Sequence, residues 1–278
     1  MSHKYLGLPF DIHGGGSDLV FPHHENERAQ SMCGYESDFV NYWMHAGMLQ
    51  VANDESGKNE KMSKSLNNFV LLHEALEQVK PNVLRMLVLQ THYRSPLVFG
   101  EKRLAEAESA LSRIETSLSN IDWKLQNLSD KSDIDVSKLD ETRKAAKEKF
   151  IAAMDDDFNT SLALAEVFEL VGTLNSVLGN SDIDKLNAPT IEKARNLIVE
   201  LMGVFGIEFS ADKKDASAFD ELAKKLNIDI NGDAEQSILK VRAEARANKD
   251  FDLADKIRDT LAAAGYTIED TPQGSRIL

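Results

Sequence analysis

The stretch "EKMSKSLNNF" (60–69) sets two lysines, Lys61 and Lys64, three residues apart among small or hydroxylated neighbours, just after the polar run "NDESGKN". The chain carries a net charge of −14, so a short cationic loop asks for an anion of its own. Two compact ammonium groups, with Ser63 and Ser65 as hydroxyl donors, can fold over a phosphate chain. They help most where negative charge grows in a transition state. A solvated surface loop is the alternative reading of such a pair. A second stretch, "FDIHGGGSDLVFPHHENERAQS" (10–31), offers different chemistry. Gly15 and Gly16 let a ligand approach the backbone closely, and Asp18 can accept hydrogen bonds from ribose hydroxyls. His23 and Glu27 are four residues apart, which on a helix places them one turn apart on one side, a common arrangement for two ligands of one metal ion. Exposed polar helix residues have the same spacing.

These residues need elements to hold them. The apolar patches "YLGLPFDIH" (5–13) and "WMHAGMLQV" (43–51) predict strands, with "HGGGSD" as a turn. "PHHENERAQSM" (22–32) between them predicts a helix that Pro22 starts and that Glu25 and Glu27 favour near its positive end. Strand, glycine turn, helix and strand form an α/β signature. From Leu71 onward the pattern is helical. Leu104, Ala107, Leu111, Ile114, Leu118, Ile121, Leu125 and Leu128 mark one apolar stripe on a long helix over 101–128. Further helices are expected over about 139–153, after "DDDFNTS" with Asn159 or Thr160 as cap, and over about 189–204. The expectation is a bundle of roughly four helices. After "SADKKDAS" (210–217) come a short helix, a turn at "INGD", a helical pair and a hairpin-like tail.

Composition bounds the rest. The 278 residues suffice for two or three domains, and 42% apolar with 28% charged residues is an ordinary globular balance. Apolar runs such as "MLVL" are short, and "MSHKYLGLPF" has no apolar signal core, so neither a membrane span nor a secretory leader is expected and a cytoplasmic setting is. Cys33 is the sole cysteine; it excludes an internal disulfide and is expected to be a small, buried, structural residue. The acidic balance argues against broad nucleic-acid binding, while leaving room for a local basic face. Lys240, Arg242, Arg246, Lys249, Lys256 and Arg258 supply a candidate for one, against the alternative of a salt-laced amphipathic helix.

Together "FDIHGGGSDLVFPHHENERAQS", "NYWMHAGML", "EKMSKSLNNF", "HYRSPL", "MDDDFNTSLALAEVF" and the closing "IEDTPQGSR" resemble cysteinyl-tRNA synthetase, a class I aminoacyl-tRNA synthetase whose nucleotide-handling signature is "KMSKS". The resemblance implies a mixed fold. Residues 1–98 would be the C-terminal part of a Rossmann-like α/β catalytic domain, 99–210 a tRNA-binding DALR-like helical bundle, and 218–278 a small anticodon-binding domain. It implies ATP-dependent ligation of L-cysteine to tRNA(Cys) through cysteinyl-adenylate, with ATP and Mg2+. Lys61 and Lys64 would act on the triphosphate, with Lys64, Asp18, Gly15 and Gly16 at the ATP. His23 and Glu27 would be two of four ligands of one Zn2+ ion that selects the substrate thiolate. The family's other two ligands are cysteines upstream of the matched region, and its HIGH motif has no counterpart here. The chain is therefore expected to be incomplete and inactive alone, and a monomer. A cysteine ligase of low-molecular-weight thiol synthesis shares the motifs, and a non-catalytic tRNA-binding module is the third reading.

Overall fold

The apolar spacing of the sequence becomes two compact units, Met1–Glu208 and Phe209–Leu278. The structure is a computed structural model, and it describes residues 1–52, 59–62, 70–131, 133–179, 181–209, 216–230, 232–264, 266–271 and 274–277. The first unit opens with α1 (Ser2–Leu6), β1 (Phe10–Gly16), a 3-10 turn (Ser17–Leu19) and a π turn (Val20–His24). Then come α2 (Glu25–Tyr35), β2 (Val40–Ala46), β3 (Leu49–Val51), β4 (Glu60–Lys61), α3 (Leu72–Gln78), α4 (Pro81–Leu89) and β5 (Leu97–Phe99).

β1 and β2 pair in parallel, from Phe10↔Val40 to Gly16↔Ala46, with α2 in the connection between them. One expectation is corrected here. The glycine run is not a turn: Gly14, Gly15 and Gly16 continue β1 opposite Met44, His45 and Ala46. Phe21 is extended (φ −131°, ψ 132°), and helical backbone starts at Pro22 as expected, with a π-type turn leading into α2 at Glu25. A second small sheet has the order β4-β3-β5, with β3 antiparallel to β4 and parallel to β5.

Four long helices follow: α5 (Glu101–Gln126), α6 (Ser137–Asp155), α7 (Thr160–Leu178) and α8 (Ala188–Val204). The predicted stripe is the buried face of α5 at Ala107, Leu111, Ile114, Leu118 and Ile121. α6 packs along α7 and α8, α5 along both of those, and α4 along α5. Leu170 and Leu174 of α7 are fully buried, each worth about 1.5–3 kcal/mol of removed apolar surface. Asn159 caps α7 through its side chain, which accepts from the Leu162 amide at 3.1 Å. α7 is long and apolar enough to cross a membrane by length and composition. Seven of its side chains, from Ala163 to Leu178, are buried in the bundle, which accounts for that apolar character. The α6–α7 turn contains two successive left-handed residues, Asp157 (φ 56°) and Phe158 (φ 53°).

The second unit holds α9 (Ala216–Leu226), α10 (Ala234–Ala247), α11 (Phe251–Ala263) and the antiparallel pair β6 (Ile268–Thr271) and β7 (Gly274–Ile277). Phe219, Ala223, Ile238, Ile257, Leu261 and Ile277 form its core. Asp233 and Asp250 cap α10 and α11 by accepting from the amides of Gln236 (2.9 Å) and Leu253 (3.2 Å). Arg242 is buried, not solvent-facing. It donates to Asp270 at 2.6 and 3.1 Å and to Ser275 at 3.0 Å, tying α10 to the hairpin. Arg246 also binds Asp270, and Arg258 pairs with Asp255 and Asp259. Three of the six candidate phosphate cations thus already hold carboxylates.

Candidate metal and nucleotide site

β1 and the start of α2 converge on one cluster. In a parallel pair, residues in register stand side by side, so His13 lies beside Trp43, and Gly15 beside His45. His13 Nε2 is 3.0 Å from Glu27 Oε2, a hydrogen bond that becomes an ion pair when the imidazole is protonated. His24 Nδ1 is 2.8 Å from His45 Nε2. The rings pack edge to face or tilted: His13 on His24 (4.7 Å between centroids), His13 on Trp43 (5.1 Å) and His24 on Trp43 (5.3 Å). Gly15 makes this possible. A Cβ there would lie 2.7 Å from His24 Cε1, so only a bare backbone lets the ring sit over β1.

His24 is buried, and burial together with His13 pushes its imidazole below the ordinary histidine value, against the pull of Glu27. A neutral imidazole is the form that ligates metal. When His24 donates through Nδ1–H to His45, its Nε2 keeps the lone pair, the usual arrangement in which an outer partner orients a metal ligand. His13, His24 and Glu27 each offer a ligand atom, all within 4.8 Å of one another. Two imidazole nitrogens and one carboxylate oxygen suit a zinc ion by donor type. Glu27 is thus in the cluster expected of it. His23 is exposed and stands outside this three-residue group.

The remaining predicted residues are placed as follows. Gly15 and Gly16 lie near the end of β1, and Asp18 is exposed in the 3-10 turn, its carboxylate folded back toward Gly16. Lys61 stands in β4 opposite Gln50 of β3. Lys64 and the Lys61 side chain lie outside the described residues. Cys33 is exposed, which corrects the expectation of a buried residue: it falls on α2, of whose eleven residues only Ser31 is buried. The residues that sequence reasoning passed over are His13, His24 and His45. One signal was available: Trp43 and His45 are two apart in β2 and so share a face, next to the strand that carries His13.

Three family models match in series: "tRNA synthetases class I (C) catalytic domain" over residues 1–109, "DALR domain" over 149–210, and "Cysteinyl-tRNA ligase anticodon binding domain" over 232–276. A solved structure, the leucyl enzyme LeuRS of Agrobacterium radiobacter K84 in a ternary complex with tRNA and LeuAMS, superposes with a TM-score of 0.54. It is 21% identical and covers 72% of this chain and 26% of its own, so the likeness is one of fold. The fold and the catalytic match define a class I aminoacyl-tRNA synthetase. Among curated relatives, the cysteine–tRNA ligases of Thermococcus kodakarensis, Geobacter metallireducens and Lactobacillus gasseri are 46%, 42% and 41% identical over 99% of this chain. The chain belongs to the cysteinyl-tRNA synthetase family. It spans about half the length of these relatives, 54%, 56% and 53% respectively.

Proposed function

We propose that the chain works in ATP-dependent ligation of L-cysteine to tRNA(Cys) through cysteinyl-adenylate, contributing the lysine loop, part of a zinc site and the tRNA-binding regions. The observation that carries this reading is the serial match of catalytic, DALR and anticodon-binding models on one chain. Its parts are residues 1–98 for catalysis, 99–210 as the bundle and 218–278 for the anticodon. The anticodon-binding match favours tRNA as acceptor over a sugar amine.

In the first step the cysteine carboxylate attacks the ATP α-phosphate and pyrophosphate leaves. Lys61 and Lys64 meet the charge that grows on the leaving pyrophosphate, with Mg2+ as counter-ion. Gly15 and Gly16 admit the nucleotide to the end of β1, and Asp18 accepts from its ribose. Glu27 and His23 would hold the zinc, as the resemblance implies, and His13 lies 3.0 Å from the Glu27 carboxylate, where it orients it. When bound, zinc supplies a soft seat for the substrate thiolate that a serine hydroxyl fills poorly. In the second step the cysteinyl group passes to the tRNA 3′ end.

Two assays test the reading. The chain is expected to bind tRNA(Cys) more tightly than a tRNA with a mismatched anticodon. Cysteine-dependent ATP–pyrophosphate exchange is expected once the polypeptide is joined with the part of a relative that it does not span. Replacing both Lys61 and Lys64 with alanine should then slow exchange by about 100-fold or more. Full-speed exchange in that double variant, or equal affinity for both tRNAs, defeats the proposal.

A further inference from the structure

The strained turn between α6 and α7 reaches the segment that follows α4. Asp157 accepts from the Tyr93 hydroxyl at 2.7 Å and from Arg94 through both Nε and Nη2, the latter at 3.0 Å. His92 Nε2 stands 3.9 Å from the same carboxylate. The far side of the segment is held just as closely. The Gly47 amide donates to the Tyr93 carbonyl at 2.7 Å, and the Leu97 amide donates to the Met48 carbonyl at 3.0 Å. A Cβ on Gly47 would lie 2.2 Å from the Ser95 carbonyl oxygen, so the two backbones touch. Gly47 follows β2 two residues after His45, and Leu97 begins β5, which pairs with β3, the strand opposite Lys61. Residues 92–97 therefore form a buckle. One end is gripped by the bundle, and the other grips both candidate site strands.

Stability alone does not explain this grip. Arg94 and Asp157 are 53% and 40% exposed, and ion pairs so exposed add little net stability. The turn meanwhile holds Asp157 and Phe158 in the left-handed region, which non-glycine residues disfavour. What the strained turn does achieve is the aim of one carboxylate. Arg94 and Tyr93 hold that carboxyl to about 2, well below its ordinary value, so it stays charged and bonded throughout the neutral range.

We propose that Asp157 is a positioning residue: through Arg94 and Tyr93 the helical bundle sets segment 92–97, and with it the end of β2 that carries His45 and the strand pair that carries Lys61. This coupling of bundle to site strands is independent of which substrates the site takes.

Hydrogen–deuterium exchange on the whole chain tests it. Asp157→Asn keeps size and removes charge. It should speed exchange at the Gly47 and Leu97 amides about tenfold, while amides of α7 from Ala163 to Leu174 stay unchanged. Asp157→Glu, which restores the charge, should return Gly47 and Leu97 to within about threefold of the parent. Faster exchange confined to residues 155–160, or no change at Gly47 and Leu97, overturns the proposal. If Asp157→Asn loses protection in α7 as well, Tyr93→Phe replaces it. That variant removes only the 2.7 Å bond and should speed Gly47 about threefold; no change there also overturns the proposal.

Discussion

The α/β segment and the helical bundle bury their apolar residues very differently. Ile114, Leu139, Leu170, Leu174, Ile191 and Ile198 of the bundle are wholly buried, and each helix from α5 to α8 contributes. β1 and β2 together contribute no buried apolar side chain; Ile12 and Tyr42, partners in register, are 58% and 70% exposed. Parallel strands ordinarily have both faces covered. What packs around β1 and β2 here is aromatic and titratable: Phe10, His13, His24, Phe39, Trp43 and His45. The contacts of the bundle are apolar, and those of the strand pair are aromatic and titratable.

That contrast can be broken by substitution. Leu174→Ala, in the middle of α7, should lower the unfolding free energy by about 3–4 kcal/mol in urea titration. Next in size, Glu27→Ala should weaken zinc binding about 100-fold in equilibrium dialysis, equivalent to about 2.7 kcal/mol, with stability nearly unchanged. The same assay sharpens the ligand set: a comparable loss in His23→Ala, with a smaller one in His13→Ala, supports His23 as ligand and His13 as the outer partner of Glu27. The reverse order assigns the metal to the His13–His24–Glu27 cluster.

The second unit offers a test through pH. Arg242, then Ser275, hold the carboxyl of Asp270 well below the ordinary carboxylate range. A depressed value means that the stabilisation is complete above the unfolded-state value of about 3.9 and is lost as the pH falls below it. Asp270→Asn should therefore cost stability at pH 7 and flatten the acid limb between about pH 4 and 2 in thermal scans. Asn159→Ala removes the α7 cap and should cost about 1 kcal/mol. At the bottom of the scale, Ile12→Ala on the exposed strand face should change stability by less than about 0.5 kcal/mol.

Much of the bundle was legible because helix packing is written locally. The stripe from Ala107 to Ile121, the cap at Asn159 and the helix over 188–204 each follow from spacing within a few residues. The strand pair was less legible. A glycine run reads as a turn by composition, yet here Gly15 lies within β1 and makes room for the ring of His24, nine positions later. Cys33 failed for a similar reason: burial tendency is an average over residue types, and α2 exposes nearly its whole surface.

By itself the sequence determined the long helices, the cap at Asn159 and the motif strings that mark the family, since those depend on side chains within a turn or two of one another. Tertiary structure alone decided which distant groups meet. His24 finds His45 across 21 residues, Arg94 finds Asp157 across 63, and Arg242 finds Asp270 across 28. Such pairs are set by how strands align and helices pack, and a titratable side chain carries no local mark of the partner that packing will bring to it.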